Sequence, residues 1–417
     1  MISEALLRMG HAGIAREFVQ WYAPHQFANG KVPCCVDVRG ADPVPENDSP
    51  GELIFAIAEV FRYTGDRAFL DALWPRVKSA AAYMETLRQS ERTPANREPG
   101  QRALYGLLPA SISHEGYSAK PMHSYWDDFW ALKGYKDAAE LARVVGDADA
   151  NQLERQRDEF VTDLYASIEA SGANHRIDYI PGAAELGDFD PTSTTIALSP
   201  ADEQARLPQP RLQATFERYW REFVARRDGS REWADYTPYE LRNIGAFVRL
   251  GWRDRAQQLL EFFLADQRPV GWKQWAEVVG HATREPRFIG DLPHAWVASD
   301  YIRSALDLFA YARESDQSLV LAAGVPSAWL DDGGIAIENL RTPSGELGYA
   351  LKRDGGRIKL SIASGMKLPS GGIVFSWPGD APPGATRVNA VPAQWINGEL
   401  RIRALPAEIV VNALVGH

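Results

Sequence analysis

Two glutamates lie in loops whose composition suits the cleavage of a glycosidic bond. Glu115 belongs to the segment 111–117, Ser-Ile-Ser-His-Glu-Gly-Tyr, just ahead of an aromatic and acidic stretch at 125–130. Glu277 ends the segment 271–277, Gly-Trp-Lys-Gln-Trp-Ala-Glu, between two strongly helical segments. Such a cleavage uses two carboxyl groups, one as general acid and one as base or nucleophile. We therefore expect Glu115 to protonate the leaving group and Glu277 to activate water, with inversion.

Each glutamate also has a purely structural interpretation. Glu115 lies in a polar loop, where a solvated glutamate needs no function. Glu277 follows Trp275 closely, and a carboxylate among apolar neighbours is almost never buried unless it is paired. Its structural alternative is a salt bridge to Arg284 or Arg287. The functional role of Glu115 requires a raised carboxyl pKa, which an apolar or anionic environment would provide.

Aromatic and acidic loop residues could bind a sugar. Indole rings offer flat apolar faces, and Trp126 and Trp272 are the preferred platforms. The expected substrate-binding residues are Trp126, Asp127, Glu185, Asp188, Asp190, Tyr236, Trp272, Trp275, His294 and Trp296. His294 could equally cap the helix that follows it. Asp48, in the first long loop, is a weaker candidate.

Three of these acids share the glycine-rich loop 182–190. Glu185, Asp188 and Asp190 could bind sugar hydroxyls or Ca²⁺, or cap a helix that starts near Thr192. Their spacing does not match an EF-hand loop, so hydroxyl binding is favoured. Asp190 as an N-cap is the structural alternative, and Glu185 is a second candidate for the general acid.

Composition excludes several classes of function. The 417 residues carry a net charge of −10 without a dense basic patch, which argues against nucleic acids and anionic membranes. The first residues are not a signal peptide, so we expect a cytoplasmic protein, or a secreted or periplasmic one if an N-terminal part is missing. No apolar run approaches a membrane span of ~18 residues.

No metal or cofactor is expected from the motifs. The two cysteines, Cys34 and Cys35, are adjacent, which disfavours a disulfide between them, and a cysteine zinc site is not expected. Histidines are dispersed, and none pairs with another at i, i+4 around a glutamate. Neither a phosphate loop nor a Gly-x-Ser-x-Gly elbow occurs.

Periodicity predicts helices in the first three quarters of the chain. Apolar residues recur at i, i+3 and i+4, which indicates roughly eleven helices before residue 315, the last over 294–313. Short breaks such as Gly65-Asp66, Gly146-Asp147 and Gly251–Asp254 combine a glycine at a helix end with an aspartate as the next N-cap. Long loops at 25–49, 90–121, 173–192, 228–237 and 268–293 alternate with these breaks. The pattern predicts helical hairpins in a closed ring, with the long loops on one face.

After about residue 316 the pattern becomes short and alternating. Segments at 335–340, 348–352, 357–362, 371–377 and 408–413, separated by turns such as 353–356, predict β-strands. We expect a mainly α-helical domain over 1–315 and a C-terminal β-sandwich over 316–417.

Several stretches in order resemble the six-hairpin (α/α)6-barrel glycosidases, which include rhamnosidases, glucoamylases and glycogen-debranching enzymes. The stretches are Asn47–Glu52, Tyr63–Asp66, Tyr105–Pro109, His114–Gly116, Tyr125–Asp128, Gly271–Glu277 and Leu292–Trp296. The resemblance implies an (α/α)6 toroid, general acid Glu115 and base Glu277. Relatives usually carry an upstream Trp–Arg–Asp sugar-binding element, which is not seen here, so we expect a fragment or a member without its first helix.

Other functions remain open on sequence alone. A polysaccharide lyase of the helical-toroid type would use Tyr236 or His294 as base, with Arg303 neutralising a uronate. A phosphorylase would replace Glu277 with a phosphate pocket. A non-catalytic carbohydrate-binding remnant would need neither glutamate.

Overall fold

The computed structural model describes residues 1–114, 116–282, 290–379 and 381–413. These residues form two compact units. The first, here called the helical unit, is Ala12–Ala225, and the second, the mixed unit, combines Met1–His11 with Arg226–His417. The predicted domain division at residues 315 and 316 stays a prediction.

The helical unit is built from helices with one small hairpin. Its elements are α2 (Ala12–Tyr22), β1 (Val36–Asp37), β2 (Gly40–Ala41), α3 (Ser49–Thr64), α4 (Arg67–Glu91), α5 (Tyr125–Val145), α6 (Ala150–His175), α7 (Pro191–Leu198) and α8 (Gln209–Arg227), of which α8 ends beyond the unit. Helix α5 packs against α3, α4, α6 and α7. It is buried over most of its length, which explains its aromatic and apolar sequence.

Two glycines let α3 and α5 approach closely. A Cβ atom on Gly51 would lie 2.2 Å from the backbone oxygen of Trp130, and one on Gly134 would lie 2.8 Å from the Cα of Gly51. Any side chain at Gly51 would therefore separate the helices. This contact fixes the start of α3 beside the first turns of α5, where several acidic side chains lie.

The Gly-Asp break between α3 and α4 has the predicted geometry. Gly65 ends α3 in the left-handed region at φ 65°, and the Asp66 side chain accepts from the Phe69 N–H at the start of α4. At the other two breaks the aspartate is not the N-cap. Before α6 the N-cap position is occupied by Asp149, and Asp147 accepts from the Trp74 indole N–H. Asp254 lies inside the first turn of the helix Arg253–Ala265.

The described residues of the mixed unit include four α-helices and the main sheets. Its helices are α1 (Ile2–Arg8), α9 (Arg242–Arg249), α10 (Arg253–Ala265) and α11 (Ala295–Asp307). Helix α11 packs against both α9 and α1. Arg8 on α1 donates to Asp307 at 2.7 Å, and Arg303 donates to Glu4 at 2.6 Å. Among the helices of the described ranges, none combines the length and the apolar character needed to cross a bilayer.

The strands of the mixed unit form two larger sheets and one short pair. The strands are β3 (Asp235–Tyr236), β4 (Val279–Gly280), β5 (Ala310–Arg313), β6 (Ser318–Leu321), β7 (Ile335–Thr342), β8 (Gly345–Asp354), β9 (Arg357–Ile362), β10 (Ile373–Ser376), β11 (Pro383–Val388), β12 (Val391–Ala393), β13 (Glu399–Ile402) and β14 (Ala407–Ala413). One sheet has the order β13-β10-β6-β5, the other β12-β11-β14-β9-β8-β7, and β3 pairs with β4. All named strand pairs are antiparallel except β10 with β6.

Both larger sheets contribute to one apolar cluster, in which Leu321 and Phe375 come from the first sheet and Leu351 and Ile409 from the second. The predicted change from helices to C-terminal strands is confirmed. The prediction of a helix over 294–313 is wrong at its end, because α11 stops at Asp307 and Ala310–Arg313 pairs with Ser318–Leu321 as β5.

Candidate functional site

Three helix starts in the helical unit carry aspartates. Asp48 precedes α3, Asp127 and Asp128 occupy the first turn of α5, and Asp190 precedes α7. We call these four residues the helix-end acids. The unpaired N–H groups and the dipole at a helix start favour negative charge, an effect that burial of the carboxyl group opposes. The first three are buried, whereas Asp190 is partly exposed.

Asp127 is enclosed by serines of the preceding loop. Ser111 donates its hydroxyl to one carboxylate oxygen at 2.5 Å, and Ser113 donates to the other at 2.7 Å. Burial, followed by the charge of Asp48, raises the pKa of Asp127 well above its usual range. Asp127 therefore holds the loop 111–114 against α5 and resists ionisation.

Asp48 and Trp126 connect the starts of α3 and α5. The Trp126 indole N–H donates to Asp48 at 2.7 Å. Burial raises the pKa of Asp48, although this hydrogen bond opposes the shift. The Trp126 indole is only 1% exposed, and the His114 ring lies against it with the centroids 4.7 Å apart. In this structure both indole faces are thus closed to solvent.

His114 also faces the start of α7. Its Nε2 lies 4.0 Å from a carboxylate oxygen of Asp190. Asp190 caps α7 by accepting from the backbone N–H groups of Thr192 and Ser193, so its structural alternative is confirmed. Although burial opposes it, His114 and these hydroxyl-bearing residues lower the pKa of Asp190.

Asp188 orders the neighbouring turn. It accepts from the backbone N–H of Ala183 and from the Tyr117 hydroxyl, both at 2.9 Å. A Cβ on Gly182 would lie under 3 Å from Asp188, Tyr117 and Asp190, so glycine is required where these side chains meet. Burial and the charge of Asp188 raise the pKa of Tyr117.

Glu185 is an ion-pair partner. It accepts from the His123 backbone N–H at 3.0 Å and from the His123 ring, and the other ring nitrogen lies 3.5 Å from Glu91. Although burial opposes it, these acids raise the pKa of His123 to about 9, and His123 in turn lowers the pKa of Glu185. A carboxyl group with a lowered pKa is ionised at neutral pH and has no proton to donate, which argues against Glu185 as the general acid.

Glu115 lies outside the described residues, but its neighbours on either side are placed. His114 contacts Trp126 and Asp190, and Tyr117 contacts Asp188, as given above. The Tyr117 N–H also donates to the Ile112 backbone oxygen at 3.1 Å. The described residues that flank position 115 therefore contact Trp126, Asp188 and Asp190.

Glu277 lies in the mixed unit and is half-buried. Its carboxylate, that of Asp291 and the His294 ring offer atoms that lie within 4.8 Å of one another. Its backbone oxygen accepts from Thr237 at 2.8 Å, and its N–H is bonded to the backbone oxygen of Gly290 at 3.1 Å. The alternative partners Arg284 and Arg287 lie outside the described residues.

His294 and the nearby aromatic residues surround this group. The His294 ring caps α11 by accepting from the Val297 N–H at 3.4 Å, which confirms the capping interpretation, and it lies 3.6 Å from Asp291. Tyr239 packs edge-on to His294 and to Trp296, with centroids 5.5 and 6.3 Å away. Burial raises the pKa of Tyr239, and so does the Glu277 charge.

The remaining candidates of the mixed unit differ in exposure. Trp272 is 61% exposed, whereas Trp275 is buried and donates to the Phe263 backbone oxygen at 2.9 Å. Tyr236 is buried and donates to Asp266 at 2.5 Å; burial and that charge raise its pKa, which disfavours it as a lyase base. Arg303 is buried against Glu4, so it is engaged within the fold.

Ser111, Ser113, Tyr117 and His123 had no role predicted from sequence. The Ser-x-Ser pattern at 111–113, in the loop before α5, is the local signal that could have identified the serines. The partner of His123 lies 62 residues away, so no local pattern marks it.

No family model and no curated protein sequence matches the chain. Solved structures do resemble it: the α-L-rhamnosidase from Dictyoglumus thermophilum at TM-score 0.56 and 10% identity, over 99% of this chain and 46% of that one. The GH78 family rhamnosidase of Bacillus sp. GL1 gives TM-score 0.58 and 15% identity, over 89% and 38%. The Streptomyces avermitilis α-L-rhamnosidase complexed with L-rhamnose gives TM-score 0.52 and 13% identity, over 98% of this chain and 38% of that one. The chain spans less than half of each, and the similarity establishes a shared fold.

Proposed function

We propose that the protein is a glycoside hydrolase that acts on a neutral sugar, with Glu115 as general acid and Glu277 as general base. The proposal is carried by the contacts of two residues that flank Glu115 in sequence: the His114 ring packs on Trp126, and the Tyr117 hydroxyl donates to Asp188. Two carboxyl groups in these roles account for inverting hydrolysis.

The surroundings of the loop suit a general acid. Such a group must keep its proton near neutral pH, and burial or neighbouring negative charge raises a carboxyl pKa in the required direction. Asp48 and Asp127 both have raised pKa values for these reasons.

The surroundings of Glu277 suit a general base. The group is half-buried rather than enclosed, so a water molecule can reach it. His294 and Asp291 supply polar atoms that could orient such a water molecule. Exposed Trp272, in the same loop, could stack on a sugar ring.

The architecture is proposed to be an (α/α)6 toroid with a C-terminal β-sandwich, as in the six-hairpin glycosidases. Because the similar structures are α-L-rhamnosidases, and one is complexed with L-rhamnose, α-L-rhamnosides are the substrates to test first. The other predicted sugar contacts, at Asp127, Asp188, Asp190, Tyr236, Trp275 and Trp296, remain proposals.

The test compares leaving groups. Purified protein is assayed on a panel of glycosides, each as a nitrophenyl and as an alkyl glycoside, and NMR identifies the anomer formed first. Glu115→Gln should lower the rate on alkyl glycosides by about 10²–10⁴-fold and on nitrophenyl glycosides far less, because nitrophenolate needs no proton to leave. Glu98→Gln, an exposed glutamate of the same unit, is the control. Equal losses on both substrates would remove Glu115 as the acid, and an inactive wild type would remove the hydrolase proposal.

A further inference from the structure

The hairpin before α3 brings two thiols and a carboxylate together. Cys34 and Cys35 place their sulfur atoms 3.4 Å apart, and the Cys35 sulfur lies 4.0 Å from an Asp42 carboxylate oxygen. One ligand atom from each of the three residues lies within 4.8 Å of the others. From the sequence, in which the two cysteines are adjacent and have no others to join them, no cysteine metal site was expected.

The hairpin itself accounts for this arrangement. Strands β1 and β2 pair Val36 with Ala41, so Cys35 and Asp42 face each other at the next position. The Asp42 N–H donates to the Cys35 backbone oxygen at 3.0 Å, which extends the pairing. The register thus places the carboxylate opposite the thiols, although seven residues separate Asp42 from Cys35.

The Asp42 carboxylate is also held in a fixed orientation. One of its carboxylate oxygens accepts from the Val44 N–H at 2.9 Å, and the other is the atom that faces Cys35. Such a hydrogen bond fixes a ligand's direction, as outer partners do in metal sites. Cys34 is partly buried and Cys35 is exposed, so an ion could enter from solvent.

The distances suit a small tetrahedral ion. With zinc–sulfur bonds of about 2.3 Å and a zinc–oxygen bond of about 2.0 Å, tetrahedral geometry puts two sulfurs ~3.7 Å apart and a sulfur and an oxygen ~3.5 Å apart. The observed 3.4 and 4.0 Å differ from these values by about 0.3 and about 0.5 Å, which a small movement of the side chains would close. Two thiolates select a soft or borderline ion over Ca²⁺ or Mg²⁺.

We propose that Cys34, Cys35 and Asp42 form a binding site for one thiophilic divalent cation, such as Zn²⁺ or Cd²⁺, with solvent in the fourth position. Binding forms two sulfur–metal bonds and one oxygen–metal bond. The two thiol protons are released to solvent, and no oxidation occurs. Lys31 lies close enough for its charge to interact with Cys34 and Asp42, and it offsets part of the ligand charge.

The site would act on the segment that leads to α3. It joins Cys34 and Cys35, ahead of the hairpin turn, to Asp42 behind it, and Asp48 follows six residues later. A bound ion would therefore stiffen the approach to the first helix-end acid. This proposal is independent of the proposed hydrolase activity, and its test uses no glycoside.

Cadmium titration of the reduced, full-length protein tests the site. A thiolate-to-cadmium charge-transfer band in the ultraviolet should grow and saturate at one ion per chain, with release of about two protons per ion. Cys34→Ser and Cys35→Ser should each lower the affinity at least tenfold, since loss of a ligand costs at least the ~10–100-fold of an outer partner.

Asp42→Asn should weaken binding by about tenfold while the band remains. The matched control is Asp37→Asn, because Asp37 lies in the same hairpin but is paired with Arg39. Three results would each overturn the proposal: no charge-transfer band in the wild type, saturation at one ion per two chains, or equal weakening by Asp37→Asn and Asp42→Asn. Competition with Ca²⁺ as effective as with Zn²⁺ would also overturn it.

Discussion

The helix-end acids and Glu277 are two different ways of holding a carboxylate. Asp127 and Asp128 are buried at the start of α5. Serine hydroxyls donate to both carboxylate oxygens of Asp127, whereas the Leu108 N–H donates to one oxygen of Asp128 and the other has no hydrogen-bond partner among the described residues. Glu277 is half-buried in a turn, and its backbone rather than its carboxylate is held by Thr237. Burial at a helix start holds the carboxyl group in one position and favours its protonated form, whereas a half-exposed carboxyl group can exchange its proton with water.

This contrast predicts that the buried acids contribute to stability and that Glu277 contributes to activity. If it is correct, changes among the buried acids should act mainly on the free energy of unfolding and its dependence on pH. Changes at Glu277 should act on the rate of reaction and leave unfolding nearly unaltered.

The largest effect is expected at Glu277. Glu277→Gln should lower kcat by about 10²–10⁴-fold, because the general base is lost, and equally on nitrophenyl and alkyl glycosides, unlike Glu115→Gln. The free energy of unfolding should change by less than ~0.5 kcal/mol, as for other substitutions away from the core. Glu338→Gln, an exposed glutamate on β7, is the control. A large loss of stability with little loss of rate would show that Glu277 is a structural residue. The proposed difference between Glu277 and the buried acids would then be wrong.

The second effect concerns pH and Asp128. Burial raises the pKa of Asp128 from 3.8 to about 7. The folded state therefore binds this proton more tightly than the unfolded state, so the stability contribution is complete below pH 4 and is lost as pH rises through 7. A shift of this size corresponds to at most about 4 kcal/mol. Asp128→Asn should remove this decline, measured as urea unfolding free energies between pH 4 and 8.

Asp137→Asn is the control with the opposite sign. Asp137 is buried on the same helix, but although burial opposes it, Arg62 and Lys133 lower its pKa. Its stability contribution is therefore present above pH 4 and lost as pH falls. The variant should be destabilised most at neutral pH and least in acid. If both variants changed stability with pH in the same direction, burial would not be the cause of the Asp128 shift.

Local patterns predicted much of the fold. The structure has β9 at Arg357–Ile362, with the predicted bounds, since the alternation of its side chains was strong and turns flanked it. The Gly65-Asp66 break was also predicted from local chemistry. The end of α11 was not, because the pairing that makes Ala310–Arg313 a strand depends on β6 and not on its own residues.

The site was less predictable than the fold. The Asp190 cap could be read from its position ahead of Pro191 and Thr192, because its donors are local. The partner of Asp48 could not, since Trp126 lies 78 residues away and meets it only because α3 and α5 pack closely. Contacts of this kind follow from helix packing, which a single sequence does not specify.

The smallest predicted effect concerns the hydrogen bond between Trp126 and Asp48. Trp126 donates to buried Asp48, whereas the Trp130 indole N–H, one turn later on α5, has no hydrogen-bond partner among the described residues. Both indoles are buried, so replacement of each by phenylalanine removes similar apolar area. Trp126→Phe should therefore cost more than Trp130→Phe by about 1.5–3 kcal/mol, the worth of a hydrogen bond to a charged group.

The size of that difference also reports on the proton of Asp48. Where the carboxyl group is protonated, the Trp126 N–H loses only a neutral acceptor, and the difference should shrink towards ~1 kcal/mol. Unfolding measured over a series of pH values should therefore show the difference growing as pH rises through the raised pKa of Asp48. A difference that is constant with pH would mean that Asp48 does not titrate in this range. The contrast with Glu277 would then rest on burial alone and not on held protons.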